Sequence, residues 1–263
     1  MPILQVRDIS FIRNGRPILQ SITFSMEEGE HRVILGKNGS GKTTLIKILF
    51  GHLWPSSGKV EVFGKTFGTF PLRDIQKRIG ILESTRQEER LQRNLSPRDI
   101  LRSGLLGSIG IYENLDKEQE ILVDRYIKEN TWIKEADGLY LNLSAGEKRK
   151  LLLLRSLISE PELLILDEPT SSLDISARED FFLLLEKYRQ KKQFSSVLIT
   201  HRTEEIPHFY SHALFLKEGK MVFSGTIEEA MKPQYLEAVY DLSLEVQKSY
   251  GRFYTHVKTS IFP

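Results

Sequence analysis

The sequence predicts an α/β fold: a parallel sheet flanked by helices, with a helical subdomain inserted into the middle of the chain. Three observations carry this. A strand, a glycine-rich loop and an apolar helix follow one another between Arg32 and Gly51. Strands and helices alternate again from Glu162 onward, the pattern of a parallel sheet with helical crossovers. Between about Arg86 and Glu160 the texture changes to long amphipathic segments with almost no strand signal.

Taken in order, Ile3 to Val6 reads as a strand, as does Ser21 to Met26, where Ile22, Phe24 and Met26 alternate onto one face. Glu28-Gly29-Glu30 turns the chain into a third strand, Arg32 to Leu35, which stops at Gly36. The helix after the loop carries Leu45, Ile48 and Leu49, and Gly51 closes it. The inserted stretch includes the amphipathic Glu118 to Glu129. Beyond it come a strand at Leu163 to Asp167, a helix from about Ser176 to Arg189, and strands at Val197 to Thr200, Ala213 to Leu216 and Met221 to Ser224. The expected organisation is a single domain, with a core formed by residues 1–85 and 160–263 and a helical insert at 86–159. No repeat of solenoid length is visible.

Bulk properties narrow the function classes. With 263 residues, 40% of them hydrophobic and 27% charged, the chain is an ordinary globular protein. A net charge of +2 gives no electrostatic case for nucleic acid. The absence of cysteine excludes disulfides, thiolate metal sites and cysteine nucleophiles, and fits a reducing compartment. Apolar runs such as Leu151 to Leu154 and Leu163 to Leu166 fall far short of the ~20 residues of a membrane helix, so any membrane role passes through a partner. The first eight residues, Met1 to Asp8, are unlike a secretory signal, and the protein is expected in the cytoplasm.

Two stretches carry phosphate chemistry. Gly36-Lys37-Asn38-Gly39-Ser40-Gly41-Lys42-Thr43-Thr44 fits the pattern of a glycine, four residues, then Gly-Lys-Ser/Thr. Glycines let backbone N–H groups crowd around phosphate oxygens, and the helix N-terminus adds partial positive charge. Lys42 is placed to reach the β and γ phosphates, and Thr43 to offer a hydroxyl to Mg²⁺. The second stretch, Leu163 to Glu168, is an apolar strand ending in two carboxylates, a costly arrangement unless the charges meet a cation. Asp167 suits the Mg²⁺ shell and Glu168 a water-polarising base.

With these in place, the chain resembles the ATP-binding cassette (ABC) ATPases over almost its whole length. Leu143-Ser144-Ala145-Gly146-Glu147 resembles the LSGGQ signature, and Leu163 to Thr170 the Walker B run. Ser171-Ser172-Leu173-Asp174 resembles the D-loop, and Thr200-His201 the switch histidine. The same signature stretch also reads as a capping box, with Ser144 at the N-cap and Glu147 three residues on, opening a helix through Leu157.

The resemblance implies an α/β P-loop NTPase fold, the ABC ATPase core of a mixed sheet flanked by helices with an antiparallel β edge and an inserted helical subdomain, and ATP hydrolysis with Mg²⁺. ATP would be bound by Gly36 and by the run Asn38 to Thr44, with Lys42, Glu168 and His201 catalytic. It implies that Ser144, Gly146 and the D-loop Asp174 meet the nucleotide of a second subunit, in a homodimer or with a related ABC ATPase, so that dimerisation gates hydrolysis. Separate integral membrane permease subunits would be the partners, placing the chain peripherally on the inner face of the cell membrane. The runs Asp99 to Gly104, Ser108 to Tyr112 and Tyr250 to Tyr254 resemble ATPases of molybdate and iron-chelate importers, which favours import. A soluble ABC ATPase driving a cytoplasmic assembly is the alternative.

The chain departs from the family pattern at several places. Ser84 stands where the family usually has glutamine at the junction with the helical subdomain; Ser84 acting on Mg²⁺ through water, and Gln87, are the candidates for that role. Arg13 and Phe11 are the candidates for the residue stacking on adenine. Ala145 and Glu147 replace a glycine and a glutamine of the signature.

Overall fold

The computed structural model describes residues 2–83, 95–107 and 114–258. Its chain divides into two compact units, Met1–Ile75 with Ser195–Pro263, and Gln76–Phe194.

In the first unit β1 (Pro2–Arg13) and β2 (Arg16–Glu27) form an antiparallel hairpin. Its turn is Asn14-Gly15, with both residues at positive φ (52° and 74°), the conformation this pair favours in hairpins. Both strands are longer than the hydrophobic pattern alone suggests, because register shifts interrupt the alternation in β1 between Val6 and Phe11. The fully buried β3 (His31–Leu35) feeds the glycine-rich loop and α1 (Lys42–Leu49), which buries Leu45, Ile46, Ile48 and Leu49. Then come β4 (Ser57–Val62), β5 (Lys65–Thr66) and α2 (Leu72–Gln76). A sheet runs in the order β2, β1, β4, β5 and is the antiparallel edge that the resemblance implies.

The second unit opens with β6 (Ile79–Glu83), followed by α3 (Pro97–Leu105), α4 (Lys117–Glu129), α5 (Ala145–Leu157), β7 (Leu163–Asp167) and α6 (Ile175–Lys191). β6 pairs parallel with β7, Ile79 against Leu163 through Glu83 against Asp167. The expected insert, 86–159, lies inside this unit together with β6, β7 and α6, since α5 packs on α3, on β6 and on α6. α5 is buried over most of its circumference, including every residue from Leu151 to Leu157, as befits the central helix of a unit. Capping boxes start α3 (Ser96 with Asp99), α4 (Asp116 with Gln119) and α5 (Ser144 with Glu147). Beneath α4, Tyr126 stacks on Tyr188 at 5.4 Å between ring centres, and the Asn130 amide donates to the Tyr188 hydroxyl at 2.9 Å.

Returning to the first unit, the chain adds β8 (Ser195–Thr200), β9 (His212–Lys217), β10 (Lys220–Thr226), α7 (Ile227–Ala230), α8 (Pro233–Tyr240), β11 (Leu244–Ser249) and β12 (Arg252–Val257). β8 and β9 flank β3 in parallel, and β10 pairs antiparallel with β9. Tyr250 and Gly251 turn the hairpin of β11 and β12, which packs on the turn at Thr203–Glu205. No helix among the described residues is long and apolar enough to cross a membrane.

β4 and β6 were not among the expected strands. Ile79-Gly80-Ile81-Leu82 is too short to show a period, and its glycine argues against a strand. The structure shows why glycine is there: a Cβ on Gly80 would come within 2.2 Å of the Ser156 carbonyl of α5. Gly80→Ala is therefore expected to destabilise the protein by about 3 kcal/mol, the upper end of overpacking costs. Denaturant unfolding of variant and parent checks this; an unchanged midpoint would show that α5 can yield.

Candidate functional site

The phosphate chemistry of the first unit is concentrated where β3 becomes α1. Gly36 is buried, and a Cβ there would meet the Leu216 carbonyl at 2.4 Å and the Ser40 hydroxyl at 2.6 Å. Gly39 and Gly41 take positive φ, 81° and 104°, which glycine adopts without strain. Lys37, Asn38, Gly39 and Thr43 are exposed, and Thr44 is partly so. Lys42 curls back, its ammonium donating to the carbonyls of Gly36 at 2.8 Å and Lys37 at 3.1 Å. The Ser40 hydroxyl is buried with no hydrogen-bond partner among the described residues. α1 starts on Gly41 with no side-chain cap and no acid in its first turn, so no carboxylate of its own competes with an anion at this helix end. An orphaned hydroxyl, an uncapped helix and an ammonium beside a glycine turn fit the phosphates of a nucleotide.

His201 belongs to the same unit. Leu35 and Thr200 are register partners on parallel β3 and β8, so the glycine loop and His201 both leave the sheet at neighbouring carboxyl ends. His201 is partly buried, and its backbone carbonyl accepts a 2.7 Å bond from the Tyr240 hydroxyl. Arg13 is exposed at the end of β1, opposite Arg16, and Phe11 pairs with Leu19 on β2.

In the second unit Asp167 ends β7 and Glu168 follows it, both partly buried. Glu168 takes φ 45°, a left-handed conformation that costs a non-glycine residue about 1 kcal/mol. The Ser171 hydroxyl and backbone N–H both close onto the Glu168 carbonyl, at 2.9 Å and 3.2 Å, and hold that turn. Asp174 caps α6 by accepting from the Ala177 N–H at 2.8 Å. An open groove of about 400 Å³ brings together Ser144, Gly146, Lys150, Asp174, Ala177 and Asp180. A Cβ on Gly146 would sit 2.9 Å from the Ala177 methyl, so glycine permits α5 and α6 to meet there. Ser84 and Gln87 lie outside the described residues, as does the run Ser108 to Tyr112.

The family model for ABC transporters matches residues 19–171, more than half of the chain. The chain belongs to the ABC transporter family. The uncharacterized ABC transporter ATP-binding protein YlmA of Bacillus subtilis is 38% identical over 250 residues, 93% of each chain. The probable metal transport system ATP-binding protein of Thermotoga maritima is 37% identical over 205 residues, 76% of this chain and 75% of its own. Among solved structures, cbiO1 from Clostridium perfringens, part of the ABC transporter complex cbiONQ, superposes with a TM-score of 0.75. It is 25% identical, over 90% of this chain and 93% of that one. As a member of the family, the chain is an ATP-binding and ATP-hydrolysing transporter subunit.

Sequence reasoning missed Tyr240 and its neighbour Asp241, which accepts from Lys37 of the glycine loop at 2.9 Å. A tyrosine and an aspartate more than 190 residues from that loop leave no local signal.

The ABC signature helix carries a pH dependence. The Ser144 N–H and hydroxyl, at 2.9 and 2.8 Å, hold the Glu147 carboxyl below its ordinary range. A depressed carboxylate contributes stability above its unfolded-state pKa and loses it as pH falls through the folded value. The stability advantage of the parent over Glu147→Gln is thus expected in full at pH 7 and lost as pH drops below the usual carboxylate range. It stays below ~1 kcal/mol because the group is only partly buried and solvent screens it. Urea unfolding of both proteins across that range checks the sign.

Proposed function

We propose that this chain powers uptake of a metal or metal chelate through separate membrane permease subunits, working from the cytoplasmic face as a pair. The pair is two copies of this chain or this chain with a related ABC ATPase. The name of the Thermotoga maritima relative supports the solute class, and the importer-like runs of the sequence support the direction. Membership of the ABC transporter family, and the likeness to cbiO1, part of the transporter complex cbiONQ, support a permease as partner.

Gly36, Asn38, Gly39, Ser40, Gly41, Lys42 and Thr44 hold the ATP phosphates, through backbone N–H groups and the Lys42 ammonium. Thr43 and Asp167, with Ser84 through water, would hold Mg²⁺, which would neutralise phosphate charge; their oxygens are the donors a hard cation takes. Glu168 orients and deprotonates the attacking water, and His201 stabilises the γ-phosphoryl charge. Arg13 stacks on adenine with the plane of its guanidinium.

The observation that carries the pairing is the open groove of Ser144, Gly146 and Asp174. A helix N-terminus with an exposed serine cap is an anion site, and in this family it serves the nucleotide of the facing subunit. Closure on ATP joins the two halves of each site, and hydrolysis releases them.

Glu168→Gln is expected to bind ATP, to form a dimer only when ATP and Mg²⁺ are present, and to hydrolyse at least ~100-fold more slowly. Light scattering after size exclusion, beside a phosphate-release assay, reads all three. Turnover at the parent rate would remove Glu168 from its role, and a monomer at saturating ATP would remove the pairing. The same trapped variant, expressed in its host, should retain a multi-span permease from detergent-solubilised membranes; retention of soluble proteins alone would overturn the transport reading.

A further inference from the structure

The geometry points to Tyr240 as a positioning residue for His201, and to Asp241 beside it as the tie between the same helix end and the phosphate loop. The inference deepens the proposed site and rests on the reading of His201 as a contact to the γ-phosphate.

α8 ends at Tyr240, and its C-cap, Asp241, takes the left-handed conformation, φ 56° and ψ 38°. These two consecutive residues reach different segments of the phosphate site. The Tyr240 hydroxyl donates to the His201 carbonyl at 2.7 Å. Asp241 accepts from the Lys37 ammonium at 2.9 Å through one oxygen and from the Lys217 ammonium through the other. Lys217 also donates to the Ala238 carbonyl at 2.9 Å, which fixes the end of α8 to β9.

Both contacted segments matter to the phosphates. The Lys37 carbonyl accepts from the Lys42 ammonium at 3.1 Å and helps to hold it. At His201 the peptide is gripped from two sides. Thr200 donates its hydroxyl to the buried Glu205 carboxylate at 2.5 Å and accepts from the Arg202 N–H at 3.1 Å. Tyr240 then fixes the carbonyl that follows. With the hydroxyl before and the carbonyl after both held, the peptide plane of His201 is set, and with it the direction in which the imidazole leaves the backbone. Burial, with Glu204 nearby, pushes the Tyr240 phenol up, so the hydroxyl remains a donor throughout the working pH range.

A tyrosine that only fills space predicts something different from one that aims a peptide. Tyr240→Phe keeps the ring and removes the single bond to His201. Steady-state ATP hydrolysis by the full chain is expected to show kcat reduced roughly five- to tenfold, with KM within about twofold and Tm within about 2 °C of the parent. In a His201→Ala background, read under single turnover, adding Tyr240→Phe should change the rate no further, because the group it aims is gone. Asp241→Asn should move the other parameter, raising KM for ATP about two- to threefold at near-parent kcat, because it loosens the loop.

An undiminished kcat in Tyr240→Phe, or an equal loss with and without His201, would overturn the positioning role. A KM unmoved by Asp241→Asn would overturn the tie to the loop. His201→Ala turning over at the parent rate would overturn the reading of His201 itself, an outcome distinct from failure of Tyr240→Phe alone.

Discussion

Three stretches of backbone meet beside the phosphate loop, and the first unit depends on their fit. A Cβ on Gly41 would lie 2.7 Å from the Leu19 side chain and 3.1 Å from the Ile18 carbonyl, and one on Gly219 would lie 2.3 Å from that carbonyl. Gly219 in turn donates its N–H to the Ser40 carbonyl at 3.0 Å and accepts from the Gln20 N–H at 2.8 Å. The loop is thus shaped by β2 on one side and the turn between β9 and β10 on the other. A loop that must present its N–H groups inward to phosphate has few remaining partners for its outward carbonyls, and this interlock supplies one.

The second unit uses small residues in the same way, around α5. Gly104 lets α3 approach until a Cβ would touch the Arg155 carbonyl at 2.3 Å, while Gly80 does the same for β6 and Gly146 for α6. Arg155 itself is buried, its Nε donating to the Ser103 hydroxyl at 2.9 Å, and burial alone draws its pKa down to about 10. Close approach of backbones on several faces leaves α5 little freedom to rotate. Its N-terminus, with Ser144 and Gly146, is held at the groove by that packing rather than by the groove's own contacts.

How much of this the sequence revealed follows from the range of the forces involved. The glycine loop, the acidic end of β7 and the capping box of Ser144 and Glu147 were legible because each rests on residues a few positions apart. The buried strands β3, β7, β8 and β9 were legible from their apolar runs, whereas β1 and β2 were legible only in part, because register shifts interrupt their alternation. β6 was hidden because Gly80 breaks the pattern for the sake of a contact 76 residues away, with Ser156. The salt bridge from Asp241 to Lys37 spans 204 residues, and a lone aspartate after a helix carries no local signal of so distant a partner. Arg13 illustrates the opposite case: it was singled out by position, and the structure leaves it exposed at the end of β1.

The helix N-termini show how one device is given two uses. α3, α4 and α5 satisfy their leading N–H groups with a serine or aspartate and a partner three residues on. α1 has neither, beginning on Gly41 with no acid in its first turn. A carboxylate there would occupy the same N–H groups and repel the phosphates that the loop is built to hold. α5 lies between these cases. Its box is closed by Glu147, which accepts from the Ser144 N–H and hydroxyl, so the helix is stable without nucleotide. On the proposed reading, a phosphate arriving at this N-terminus would compete with Glu147 for the Ser144 hydroxyl. Glu147 stands where the signature it resembles carries glutamine, which would make that competition one between two charges.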